Sequence, residues 1–326
     1  IMQVLSRTIS FCPRTSRFFI HKVNTGFLLE KGEMIGMLFD PGITDILRDT
    51  LPGLGDFFLL ITQLGGELFY IGLLLIGFWT YNKRQSILLT FILIVSVLSN
   101  YWLKYMIANE RPPVGNYYPG VDYSNYSTPS GHSQNSATVY GWITLKVKTW
   151  WMALIGIVLT LLIGISRVYL GVHYLGDVLL GWGLGGVIVL IVFYFENPLK
   201  EFFSRYKTVN LLILLVIIGF LMTLIASLLP QPPLDNFGSY GGLTMGIGLG
   251  LILEMRFVDF SVEPYQGQKW RLALRIIIGL ALVVGLILGL SSILPSDVIW
   301  LRMIRYLLAT IMGVFVWPYI FKRANL

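Results

Sequence analysis

From residue 57 to the end of the chain, long apolar runs alternate with short polar connections. The runs are Phe57–Tyr81, Ile87–Met106, Ser133–Leu145, Met152–Leu170, Tyr174–Phe195, Val209–Leu229, Tyr240–Leu253, Leu272–Leu294 and Val298–Phe321. Several approach the ~20 apolar residues that carry a helix across a bilayer. They predict an all-α, polytopic transmembrane bundle of nine spans. The first is expected to break near Gly65-Gly66-Glu67, and the third and seventh are short. Ahead of them, residues 35–56 mix apolar positions with Asp45, Arg48 and Asp49, then reach Leu51-Pro52-Gly53. That pattern predicts an interfacial helix followed by a turn. Residues 1–34 are different again. They carry Arg7, Arg14, Arg17 and Lys22 with no acid before Glu30, and are expected to form a poorly ordered basic tail, with Met34 or Met37 as an alternative start. Three segments result: the tail 1–34, a membrane core 35–208, and a C-terminal extension 209–326.

Composition supports the membrane reading. Of 326 residues, 55% are hydrophobic and 13% charged, and the mean hydropathy is +0.72. No ordinary soluble domain is so apolar. The formal net charge is +7, which on a soluble protein would raise nucleic acid as a partner. Here the basic residues sit in short loops: Lys83 and Arg84, Lys146 and Lys148, Lys200 to Lys207, Arg256 to Arg271, and Lys322 with Arg323. These loops alternate with Lys- and Arg-poor ones, so the charge sets topology and no nucleic acid partner is expected. The positive-inside rule makes the basic set, and the C-terminus, cytoplasmic. The basic tail, Arg302 and Arg305 fit that assignment poorly. A single cysteine, Cys12, excludes a disulfide framework and a cysteine-rich zinc site. Gly246-Ile-Gly-Leu-Gly follows no strand and lies in an apolar run, so close helix packing is expected there, not nucleotide binding.

The chemistry collects between the apolar runs. The loop after the second carries Lys104 and Arg111 and ends in Pro129-Ser130-Gly131-His132, where a helical run begins. A helix start attracts anions, because its first N–H groups lack helical partners and its dipole end is positive. Between the fourth and fifth runs lie Ser166-Arg167 and His173-Tyr-Leu-Gly-Asp177. By alternation both loops emerge on one face, the extracytoplasmic one. His173 and Asp177 are four apart and share a helical face. A carboxylate at membrane depth costs roughly 2.5–3.5 kcal/mol on insertion scales, so it needs a partner. Three cations, two histidines and a carboxylate suit phosphoryl transfer: positive charge for the equatorial oxygens, a neutral histidine to attack, a charged one to protonate the leaving oxygen. Lys104, Arg111, Arg167, Ser130 and the Gly131 amide are the phosphate-binding candidates. No metal or other cofactor is expected, since no acidic cluster has ligand spacing. A serine nucleophile at Ser130 lacks a nucleophile elbow.

Lys104 to Arg111-Pro112, Pro129-Ser130-Gly131-His132, and Ser166-Arg167 with His173 and Asp177 resemble the three-part pattern of the type 2 phosphatidic acid phosphatase family, related to vanadium haloperoxidases. The resemblance covers about residues 104–177. It implies His173 as nucleophile, Asp177 as its partner, His132 as acid, and metal-independent hydrolysis of a membrane lipid phosphate or diphosphate through a phosphohistidine. The four spans after residue 208 exceed the family's usual core of about six. A lipid phosphotransferase using the same site, or a transporter or scaffold carrying a retired site, are the alternatives.

Overall fold

The computed structural model describes residues 36–121, 125–228, 237–295 and 297–326; the expectation for the tail 1–34 lies outside them. Residues 39–326 form one compact unit. Among the described residues the regular structure is helical, with no strand. In chain order the α-helices are α1 (Gly42–Thr50), α2 (Gly55–Gln63), α3 (Glu67–Thr80), α4 (Lys83–Ile107), α5 (Gly131–Val147), α6 (Trp150–Tyr169), α7 (Leu175–Ser204), α8 (Thr208–Leu228), α9 (Phe237–Phe257), α10 (Trp270–Ser291), α11 (Ile299–Ile311) and α12 (Trp317–Arg323).

Every one of the nine apolar runs is helical. Among the described residues six helical segments are individually long and apolar enough to cross a membrane, and α2 with α3, bent by 46° at their break, meet the same test when taken together, as a broken span or a re-entrant loop. The bend falls where Gly65-Gly66 interrupts the first run. The other two runs, α5 and α9, fall outside that set. α5 has only 17 residues and opens on Gly-His-Ser-Gln-Asn-Ser, and α9 is diluted by glycine. The interfacial helix expected in 35–56 is the short α1, stitched onto the end of α6. Thr44 donates to the Val168 carbonyl at 3.0 Å, and Arg48 Nε to the Tyr169 carbonyl at 3.0 Å.

α3 is the pillar shared by both halves of the chain. Tyr70 packs with Leu89, Ile92, Val139, Trp142 and Val189 from α4, α5 and α7. Leu75, Phe78 and Trp79 pack instead with Ile247, Val283, Ala309 and Trp317 of the extension. The buried Trp79 indole donates to the Gly313 carbonyl at 2.8 Å. Arg275, buried on α10, donates to the carbonyls of Trp79, Ser261 and Val262, each at 3.1 Å. Its planar, multi-donor head suits such a cluster of carbonyls. At the same end Lys83 pairs with Glu254 at 2.7 Å, and Lys146 pairs with Glu196. The basic loops thus gather opposite the end that carries Lys104, His132 and His173.

Within lipid, apolar contact alone gives helices little reason to associate, so close packing must supply it. In α9 the glycines do so. A Cβ on Gly248 would stand 2.6 Å from the Leu212 carbonyl oxygen of α8, and one on Gly242 would stand 2.2 Å from that of Met303 in α11. Gly246-Ile-Gly-Leu-Gly is therefore a packing motif, as expected. Arg302 and Arg305, awkward for a charge-based topology, direct their charges at Glu67 of α3. Their charges thus act across the boundary between the two halves.

Gly242→Leu is predicted to drive α9 off α11, at the upper end of the roughly 1–3 kcal/mol typical of overpacking. Gly285→Leu, where a Cβ meets nothing within 4 Å, is expected to stay within about 0.5 kcal/mol. Thermal unfolding of the two variants in detergent, read as midpoint shifts, checks the contrast.

Candidate active site

Two helix beginnings and two helix ends meet at one end of the bundle. α4 ends with Lys104 in its last turn, and α6 with Arg167 in its own. α5 begins at Gly131 with Ser130 as N-cap, and α7 begins at Leu175 with Asp177 in its first turn. The Ser130 amide donates to the Asp177 carbonyl oxygen at 3.0 Å, so the two starts are bonded directly. Asn100 on α4 donates to the Pro129 carbonyl at 3.2 Å and to Gln134 Oε1 at 2.9 Å. Gln134 passes the chain of bonds back to the Ser96 carbonyl at 2.8 Å. The Pro-Ser-Gly-His corner is thereby fixed against α4.

Asp177 is fully buried and His173 is 2% exposed. His173 Nδ1 lies 3.1 Å from Asp177 Oδ2. An ionised carboxylate accepts only, so this contact holds the proton on Nδ1 and leaves a lone pair on Nε2. The carboxylate accepts three further bonds: from the Ser127 hydroxyl, from the Thr128 hydroxyl, and from the Tyr174 amide at 3.0 Å. Nε2 faces the Arg111 guanidinium, with Nη1 at 3.3 Å. Burial first, then the charges of Arg111, Lys104 and Arg167, push His173 well below the ordinary histidine value. The imidazole is neutral at pH 7.

Each cation is held by oxygen. Lys104 Nζ donates to the carbonyls of Tyr126 and Ser127. Arg111 donates from Nε to the Asn125 carbonyl at 2.7 Å and from Nη1 to the Val172 carbonyl at 2.7 Å. Arg167, with no exposed surface, donates to Thr62 Oγ1 at 2.7 Å. A cavity of about 240 Å³ opens between them, lined by Lys104, Arg111, Gly131, His132, Arg167 and His173. His132 packs under the α2–α3 break, where a Cβ on Gly65 would come within 3.1 Å of its ring.

Six of the eight residues expected at the site line this cavity. Asp177 stands behind His173. The Ser130 hydroxyl turns into the helix instead, accepting from the Ser133 amide at 3.4 Å and the Ser133 hydroxyl at 2.9 Å. Sequence reasoning passed over Ser127, Thr128, Asn125, Thr62 and Glu67. Small hydroxyls and amides in a polar loop carry no periodic signal. Only the requirement that a buried carboxylate be fully hydrogen-bonded could have pointed to Ser127 and Thr128.

Residues 85–201 match the PAP2 superfamily, and residues 238–326 match its phosphatase transmembrane extension. The chain is 36% identical over 155 residues to phosphatidylglycerophosphatase B of Bacillus subtilis, covering 44% of this chain and 75% of that protein. It belongs to the PAP2 superfamily, as a multi-pass membrane phosphatase. An undecaprenyl-diphosphatase of Sulfolobus acidocaldarius is 32% identical over 134 residues, covering 39% of this chain and 63% of that one. Sphingosine-1-phosphate phosphatase 1 of Mus musculus is 30% identical over 249 residues, covering 69% of this chain and 57% of that one. The crystal structure of a transmembrane PAP2-type phosphatidylglycerolphosphate phosphatase from Bacillus subtilis superposes with a TM-score of 0.42 at 30% identity, covering 56% of this chain and 90% of that chain.

Ser127→Ala and Thr128→Val each remove one bond to a buried charge, worth about 1.5–3 kcal/mol. Each is predicted to lower kcat by roughly 10- to 150-fold, with KM little changed because neither side chain lines the cavity. Steady-state phosphate release by the two variants checks this split.

Proposed function

We propose that this chain hydrolyses a lipid phosphate or diphosphate at the extracytoplasmic membrane face, without a metal, through a phosphohistidine. The observation that carries the proposal is His173, backed by Asp177 and lining one cavity with Lys104, Arg111 and Arg167, its Nε2 directed at the Arg111 guanidinium. The relatives support the lipid class, since their names specify a phosphatidylglycerophosphate, an undecaprenyl diphosphate and a sphingosine phosphate. The basic loops at the opposite end of the bundle support the face.

In the first step the substrate phosphate sits among the three cations and the Gly131 amide. Nε2 of neutral His173 attacks phosphorus as the bond to the lipid oxygen breaks in line. Asp177 stabilises the charge that develops on the imidazole, as the carboxylate of a triad does. His132 donates a proton to the departing oxygen. Burial first, then the charges of Arg167, Arg111 and Lys104, push His132 well below the ordinary histidine value. A phosphate dianion in the cavity pairs with the imidazolium and offsets those cations, which favours the protonated form. In the second step His132, now neutral, takes a proton from water. The water oxygen bonds to phosphorus, the phosphorus–nitrogen bond breaks, and inorganic phosphate leaves with both histidines restored.

Purified protein in detergent with EDTA is expected to release phosphate from lipid phosphates. His173→Ala is expected to lower the rate by at least about 10⁴-fold, the scale on which triad members act. Rapid quenching with labelled substrate should trap an acid-labile, alkali-stable phosphoprotein in the wild type alone. Full activity in His173→Ala, or activity abolished by EDTA, would sink the mechanism.

The pH profile tests the electrostatics. Attack needs neutral His173, whose folded value is depressed, so kcat/KM should hold as pH falls through about 6.5, the ordinary histidine value, and drop only below it. Arg111→Gln removes the strongest of the depressing charges. The His173 value then rises, and the acid limb should move to higher pH. A limb that stays fixed would assign it to another group.

A further inference from the structure

The cavity at the phosphate site does not end at its polar residues. Away from Lys104 and His173 it is walled by Ile71 and Leu74 of α3, Thr90 of α4, and Tyr240, Leu243 and Ile247 of α9. A second cavity of about 70 Å³ shares five of those six residues. It continues toward the opposite end of the bundle, between Leu251 of α9 and Val283 and Ile287 of α10. Sharing those walls, the two cavities adjoin as a cationic head and a largely apolar arm. The arm runs between the catalytic core and the C-terminal extension, and α9 of the extension forms its outer wall.

We propose that the C-terminal extension is the chain-binding half of the site: a single hydrocarbon chain of the substrate threads the arm between α3–α4 and α9, while the phosphate sits on the core. This rests on the lipid-phosphatase reading and adds to it the location and number of chains. Three observations select the occupant. The arm adjoins the phosphate site across shared residues, so a chain tethered to the phosphate lies within reach of it. Its lining is apolar, so water there would lack the two to four polar partners it needs. α9, which walls the arm on one side, is locked to α8 and α11 through glycines at backbone contact. An arm of only about 70 Å³ favours one chain over a diacyl pair. Leu243 and Ile247 are one helical turn apart on the same face, so they set the bore.

Monoalkyl phosphates from butyl to hexadecyl are the probe. Wild-type kcat/KM is expected to rise with chain length. Leu243→Trp and Ile247→Trp should lower the hexadecyl-to-butyl ratio at least tenfold, because an apolar pocket discriminates by the methylenes it can bury. Leu243→Ala should preserve or extend the tolerated length. Ile217→Trp, on the lipid-exposed face of α8, should leave the ratio at the wild-type value. Because butyl phosphate reports on chemistry alone, a variant that loses both substrates equally is a folding failure. For that case the wild type supplies a second readout. A long alkyl phosphate with a terminal diazirine should label α9 residues 243–251 on photolysis, and excess unlabelled hexadecyl phosphate should suppress it. Hydrolysis with no dependence on chain length, or labelling confined to lipid-facing α7 and α8, would overturn the chain assignment while leaving the phosphatase reading intact. No release from any member of the series would overturn both.

Discussion

The site hangs on one buried charge. Asp177 has no exposed surface, and a carboxylate buried without partners would cost several kcal/mol. Two hydroxyls, one amide and one imidazole offset that cost, and each comes from a different position in the chain. Satisfying the carboxylate therefore also positions the loop at 127–128, the first turn of α7 and the ring of His173. The bond from the Ser130 amide to the Asp177 carbonyl adds the start of α5. The imidazole is aimed by the accounting of a charge, not by apolar packing.

Three cations share the space in front of that imidazole. Two unit charges about 8 Å apart in a medium of effective dielectric constant near 20 repel by about 2 kcal/mol. Carbonyl and hydroxyl oxygens hold each cation in place of water: Ser127 for Lys104, Val172 and Asn125 for Arg111, Thr62 for Arg167. The donors are thus fixed before any ligand arrives, and their mutual repulsion falls when an anion does. Preorganisation of this kind is usually the largest single contribution to enzymic rate. Burial first, and then the same field that would grip a phosphate, keep His173 neutral.

The parts of this arrangement differ in how far the chain itself announces them. Lys104, Arg111, His132, Arg167, His173 and Asp177 stand out because polar groups at membrane depth are costly and few, and because alternation of spans puts their loops on one face. The broken first span was legible in Gly65-Gly66, and the packing role of the Gly246 motif in its apolar setting. Ser130 was legible as a helix start, but its hydroxyl is engaged as the cap and not aimed at the cavity. Ser127 and Thr128 were hidden, since a hydroxyl in a loop reads the same whether it meets water or a carboxylate. Arg302 and Arg305 fitted the charge-based topology poorly, and the sequence did not reveal that their charges act on Glu67. The approach of residues 240–251 to residues 71–90 was beyond reach, being a contact between runs more than 140 positions apart.

That last contact explains how a cleft survives in a bundle with no polar reason to keep it. Around α9, Gly241 and Gly248 bring α8 to backbone contact, while Gly242 and Gly246 do the same for α11. Leu243 and Ile247 point to a third side, where no small residue invites approach. In water, apolar walls would tend to collapse on one another. In a bilayer, hydrocarbon is the solvent, so the gain from closing the cleft is small, and helices already mated at glycine on two sides cannot swing to close it without losing those contacts. An apolar cavity beside the cations is the outcome of this packing, and in the proposed complex an alkyl chain fills it at little desolvation cost. The glycines read in the sequence as close-packing positions thus fix the wall on which the proposed chain selectivity rests.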